Sequence, residues 1–349
     1  MAVVAVVAPA RVRPVWLATG ALALAAALVV GLAVGAVSLP PVEVAVEVLD
    51  HVPGVSIDSG LSTQEAAIVW QLRLPRVVLG LLVGAMLAVS GAAFQGVFRN
   101  PLADPYLLGA SSGAGLGATI AIVSRSATGV TWSVPLAAFV GALAAVALAH
   151  LLANLGGGDR SSAVLLLAGV AVAAFLSAIQ TFLQQRHADS IREVYSWLIG
   201  SLSAAGWSDV RTVLPYGIVS VTILLVHRRA LDVLAVGDEE ASALGLQVLR
   251  SRLLVVVAAA LATAAAVSVS GLIAFVGIVV PHTVRLLAGS SYRVIVPLSL
   301  LFGGAFLAGA DLLARTVLSP SEIPIGVITA MFGAPFFAVV LRSRRRVAL

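Results

Sequence analysis

The five histidines, His51, His150, His187, His227 and His282, are dispersed along the 349 residues, and none has a partner at metal-ligand spacing. Cysteine is absent, which removes disulfides, thiolate metal sites and a cysteine nucleophile together. The Gly-rich stretch 109–117 lacks the lysine of a phosphate-binding loop and lies in an apolar run, so it reads as packing. No catalytic residue, no metal and no cofactor are therefore expected. One loop is chemically marked: Asp238, Glu239 and Glu240 fall in the first turn of a short helix, where negative charge suits the dipole, and Gly245 is placed to end it. Such an element suits docking into a groove on a cytoplasmic partner, or serves as a plain connector.

The elements that carry these residues follow from composition. Sixty per cent of the chain is hydrophobic and 11% is charged, with mean hydropathy +1.08. A soluble domain carries about 25% charged residues, and it could not hide this much apolar surface. Helices of about 20 apolar residues in lipid can, because each satisfies its own backbone hydrogen bonds. The sequence pI is near 10.6, yet all 21 basic residues are arginines scattered between apolar runs, a pattern of membrane anchoring and not of nucleic-acid binding.

Ten spans are expected, near 15–38, 77–98, 106–124, 133–154, 163–184, 212–227, 252–270, 271–287, 294–312 and 324–341, in a single all-α membrane domain. The first exceeds a signal-peptide core and reads as a retained span. Residues 195–202 read as a short interfacial or re-entrant helix. With the N-terminus inside, fourteen arginines fall on that side and seven on the other, so both termini are expected in the cytoplasm. The hydrophilic parts are then a cytoplasmic segment 1–14, an acidic outer loop 40–72, a cytoplasmic loop 228–251 and a basic tail 342–349.

Within the spans, small residues such as Ser90-Gly91, the 111–115 stretch and Ser270-Gly271 suit close helix approach. Val-Ser-Gly occurs at 89–91 and at 269–271, a faint hint of an internal repeat. The acids Asp104, Asp159, Asp209, Asp311 and Glu322 read as span ends or loop residues, which weighs against a gradient-driven carrier, whose ionisable groups sit deep in spans.

Arg73-Leu-Pro-Arg76, Gly91-Ala-Ala-Phe-Gln-Gly96, the run Phe98 to Pro105, Leu108 to Gly115, Trp197-Leu-Ile-Gly200, Gly237 to Leu246, Gly271 to Gly277, Pro281-His-Thr-Val-Arg285, Ile323-Pro-Ile-Gly326 and Phe332-Gly-Ala-Pro335 appear in that order. Over about 65–345 the chain resembles the FecCD family, permeases of importers for iron siderophores, haem and vitamin B12. The resemblance implies a type II ABC importer permease of ten helices. It would pair as a homodimer or heterodimer with a related permease, two cytoplasmic ATP-binding subunits and an extracytoplasmic substrate-binding protein, in a bacterial inner membrane.

By the same resemblance, Arg73, Arg76 and Arg315 match positions that meet acidic residues of the binding protein, and guanidinium forks pair well with carboxylates. Gly237, Asp238, Glu239, Glu240, Ala241, Leu244 and Gly245 would dock on the ATPase. Asn100, Leu102, Ser161 and Ser162 would lie near a cytoplasmic gate. An iron chelate, a ferric siderophore or haem, is the expected substrate, with cobalamin as the alternative and gradient-driven transport as the reading from another class.

Overall fold

The computed structural model describes residues 11–35, 39–51, 57–129, 133–155 and 162–345. Among these residues there is no strand. The helices are α1 (Pro14–Ala33), α2 (Pro41–Asp50), α3 (Thr63–Ala67), a π-helical turn (Ile68–Arg73), α4 (Leu74–Val97), α5 (Ala110–Thr128), α6 (Val134–Leu155), α7 (Ser162–Arg186) and α8 (Ile191–Leu198). They continue as α9 (Trp207–Val226), α10 (Arg228–Leu234), α11 (Asp238–Ala243), α12 (Val248–Ser270), α13 (Val276–Ala288), α14 (Tyr292–Thr316) and α15 (Ile325–Arg345). Seven are long and apolar enough to cross a membrane: α1, the run 63–97 that ends in α4, α6, α7, α9, α12 and α14. With α5 and the shorter apolar α13 and α15, they stand one for one where the ten spans are expected.

α4 is the axis of the bundle, because it is apolar on every side and a helix of that kind belongs inside. Its most apolar window is 83% buried, against 17% for α1. α12, α13 and α14 pack around it, while α1, α6, α7 and α9 turn Leu22, Leu136, Phe175 and Ile218 outward, where lipid receives them. Between helices the seam is made by missing side chains. A Cβ on Gly91 would lie 1.7 Å from the Gly277 carbonyl oxygen, so α4 and α13 meet backbone to backbone. Gly113 and Gly141 close α5 on α6 in the same way. The two Val-Ser-Gly tripeptides occupy unlike places: Gly91 lies inside α4, whereas Gly271 follows the end of α12.

The short helix expected at 195–202 lies instead at Ile191–Leu198, and three further elements differ from expectation. The acidic outer loop is largely helical, pinned by Glu47, which accepts from Ser59 Oγ at 2.5 Å and from the Trp70 indole at 2.9 Å. The span expected at 271–287 begins only at Val276, since 271–275 is not helical, with Gly271 at φ 67° and Phe275 at φ 71°. That irregular backbone is tolerated inside the bundle because its polar groups are paired within the protein. Tyr106 Oη donates to the Ile273 carbonyl at 3.0 Å and accepts from the Ile273 N–H at 3.2 Å, while the Ser201 N–H donates to the Ser270 carbonyl at 2.9 Å. Finally, α14 runs on to Thr316, so Asp311 sits inside that helix, buried, and not at its end. Asp159, read from sequence as a span-end or loop acid, and Ser161 lie outside the described residues.

Candidate functional site

Two clusters lie at opposite ends of the long helices. At one end α9 leads through α10 into α11, and the short α11 is shaped by its flanking glycines. Gly237 has φ 153°, and a Cβ there would meet the Glu240 carboxylate at 2.0 Å. Gly245, at φ 82°, closes the helix: its N–H donates to the Ser242 carbonyl at 2.9 Å and the Leu246 N–H to the Ala241 carbonyl at 3.0 Å, a Schellman ending. Ala241 is buried, whereas Glu239, Glu240, Leu244 and Gly245 face outward, Leu244 at 70% exposure. A large apolar side chain beside acids on an exposed helix end is the form of a docking knob.

The loop is held to the spans by two carboxylates. Asp238 accepts from Arg252 Nη2 at 2.7 and 2.8 Å and from Arg99 Nη2 at 2.8 Å. Asp232 on α10 accepts from Ser291 Oγ at 2.7 Å and from the Tyr292 N–H at 2.5 Å, capping the start of α14. Arg99, Asp232, Arg252 and Ser291 are absent from the candidates expected of the sequence. They are distant in the chain, and only the fold brings them together.

Directly after α4 comes the corner that holds Asn100 and Leu102. Asn100 Oδ1 accepts the Leu102 N–H at 3.0 Å, and Asp104 Oδ1 accepts the Tyr106 N–H at 2.7 Å. Burial pushes the Asp104 carboxyl up to about 6, a shift the Tyr106 hydrogen bond partly offsets. The corner reaches α7 at its far end, where Gly169 abuts the Leu107 carbonyl. Ser162 is the first residue of α7.

At the opposite end, Arg73, Arg76 and Arg315 do converge, but all three turn into the chain. Arg73 is buried and donates from Nη1 to the Leu32 and Ala33 carbonyls at 2.6 and 2.9 Å, and Arg315 donates to the Gly31 carbonyl. Together they cap the last carbonyls of α1, where cations also suit the helix dipole. Arg76 forks between Asp311, at 2.9 to 3.1 Å, and Glu322, at 2.8 and 2.9 Å. Glu322 lies in the loop before α15, and its side chain is 38% exposed. The Arg76 hydrogen bonds hold its carboxyl below the usual value. Asp311 and Glu322, read from sequence as a span end and a loop acid, are thus the counter-ions of this cluster.

Between the two ends, an apolar groove of about 530 Å³ opens over Leu198, Ile199, Leu272, Ala274, Val327 and Met331. Three chain breaks meet there, since the Gly326 N–H donates to the Ile199 carbonyl at 3.2 Å beside the 271–275 segment. Among the described residues no group of His, Cys, Asp or Glu is placed to hold a metal ion.

An apolar helical bundle with broken helices at its groove and a docking-shaped helix at one end is the architecture of a multi-pass membrane protein. The FecCD transport family matches residues 23–343, and the chain belongs to that family. It is 46% identical over 290 residues to the cobalamin import system permease protein of Halobacterium salinarum, covering 83% of this chain and 77% of that one. It is 40% identical over 284 residues to the hemin transport system permease protein of Yersinia pestis, covering 80% and 84%. A solved metal-chelate type ABC transporter in an inward-facing conformation superposes with TM-score 0.83 at 29% identity, over 95% of this chain and 100% of that one. The chain is a membrane-spanning permease subunit of an ATP-binding cassette importer.

Proposed function

We propose that the cargo is a bulky iron chelate, a ferric siderophore or haem, carried across a bacterial inner membrane by alternating access. Two copies of the chain, or this chain and a related permease, face each other across the groove at Leu272 and Met331. Its apolar walls suit a cargo that must be released as readily as it enters. The observation that carries the reading is α11: a six-residue helix with buried Ala241 inward, Leu244 outward and both ends locked by glycines. We place this end in the cytoplasm with both chain termini, docked on one of two ATP-binding subunits that hydrolyse ATP on behalf of the permease, which has no enzymatic role itself. Movement of α11 would act on a gate at Asn100, Leu102, Ser161 and Ser162.

The opposite end receives the substrate-binding protein. With Arg73 and Arg315 occupied by α1, Arg76 is the docking cation an acidic lobe reaches, by taking the place of Glu322. Cobalamin is the second reading of the cargo, favoured by the 46% identical relative. Complementation separates the two. In a host lacking its own permeases, the chain with its ATPase and binding protein should restore growth on ferric siderophore or haem as iron source. Restoration of cobalamin-dependent growth alone would overturn the iron reading, and uptake without the ATPase would overturn the ATP-driven one.

A further inference from the structure

Arg99 is the first residue beyond the cap of α4, and it sits at φ 51°. Its N–H donates to the Gly96 carbonyl at 3.3 Å and the Asn100 N–H to the Gln95 carbonyl at 3.1 Å, so it fills the left-handed closing position of a helix. Glycine is the usual residue there because a Cβ is disfavoured in that backbone state. An arginine held in it carries that backbone cost, and its side chain makes a contact far along the chain. Its Nη2 donates to Asp238 Oδ1 at 2.8 Å, across 139 residues of sequence.

Asp238 is the first residue of α11, and Arg252 at the start of α12 grips both of its oxygens. The Arg252 side chain is 11% exposed and fixes the carboxylate, whereas Arg99, at 38%, reaches it from the corner. From Arg99 the chain enters the 100–106 corner without a break. Tyr106 is bonded at its hydroxyl to both backbone groups of Ile273, and the Pro105 ring lies against Gly277, where a Cβ would be 2.5 Å from it. A displacement of α11 therefore reaches the non-helical segment between α12 and α13 through consecutive contacts of charge, hydrogen bond and packing.

We propose that Asp238 and Arg99 are positioning residues of transport, the joint through which movement of α11 is delivered to the 99–106 corner and on to residues 271–275. The inference rests on α11 being the ATPase-docking element. Because the chain has no cysteine, a single introduced thiol reports on one place. In the full complex with its ATPase subunits, reconstituted in lipid nanodiscs, the labelling rate of Leu102→Cys by a charged maleimide is measured without nucleotide and after trapping with ATP and vanadate.

The rate should change about fivefold or more on trapping. Arg99→Gly should lose that change while the complex melts at the same or a higher temperature, since glycine relieves the backbone. Arg99→Lys should retain the change. A response in Arg99→Gly equal to that of the parent overturns the joint. Ala243→Cys tests the underlying reading separately, because bound ATPase should shield it from the reagent. If it is not shielded, both readings fall; if it is shielded while Arg99→Gly responds normally, only the joint falls.

Discussion

Two acidic residues show how the same side chain is set to different tasks by its surroundings. Asp104 is desolvated at the corner after α4, with its carboxyl pushed up to about 6 from its ordinary value of 3.8. The native state then holds a proton that the unfolded chain has lost, so this group's contribution to stability is full below about pH 4 and is lost as pH rises through 6. Asp104→Asn keeps the acceptor for the Tyr106 N–H and removes the buried charge. It should stabilise the protein by about 2–3 kcal/mol at pH 7.5. In thermal melts the gain should shrink between pH 6 and pH 4 and vanish below that range; a gain that persists at pH 4 would mean the carboxylate is not what burial penalises. Glu322 is set the other way, held ionised by Arg76 and partly open to water. If an acidic binding-protein lobe takes its place, Glu322→Gln should strengthen binding-protein association about threefold to tenfold at low salt, with less gain at high salt. Weaker association measured by surface binding would show Glu322 to be part of the docking face itself.

The helices were legible in the sequence where apolar length decides, and less so where backbone detail or helix rotation decides. Ten apolar runs between polar breaks correspond to ten helices, seven of them long and apolar enough to cross a membrane, and the acid-rich start and Gly245 gave α11 within a residue. The start of α13 was not legible, because 271–275 is as apolar as the helix beside it. Only Gly271 marked the break, and the positive φ of Phe275 has no compositional signal. The inward turn of Arg73 and Arg76 was hidden for a related reason: α4, at whose start they stand, is apolar nearly all round, so no hydrophobic stripe tells which face is inside. The Asp238 cluster joins residues 99, 238 and 252, a proximity that local periodicity cannot show. Because Arg73 caps α1 with two carbonyl bonds, Arg73→Met should lower stability by about 1–3 kcal/mol and loosen the end of that helix. Were its task docking alone, the melting temperature in detergent would stay unchanged and only binding-protein association would fall.

At the scale of the whole molecule, one copy is half of a pathway. The groove over Leu198, Ile199, Leu272, Ala274, Val327 and Met331 is walled on one side only, and a channel for a bulky solute needs a second wall. In the arrangement proposed above, a second copy or a close relative would supply it, with the α15 faces approaching across a two-fold axis, since a symmetric pair brings the same residues together from both sides. Met331 is 66% exposed in the single chain and belongs to α15, so it should face its counterpart in the pair. The natural absence of cysteine makes this directly measurable. Met331→Cys, treated in native membranes with a flexible bismaleimide, should give a covalent dimer of the chain, or a covalent heterodimer if a related permease carries a thiol at the facing position. Val226→Cys, at an exposed position near the end of α9, serves as the lipid-facing control and should stay monomeric. Dimer formation at Val226 and not at Met331 would move the pathway to another face of the bundle, and with it the groove's role as the wall that the cargo passes.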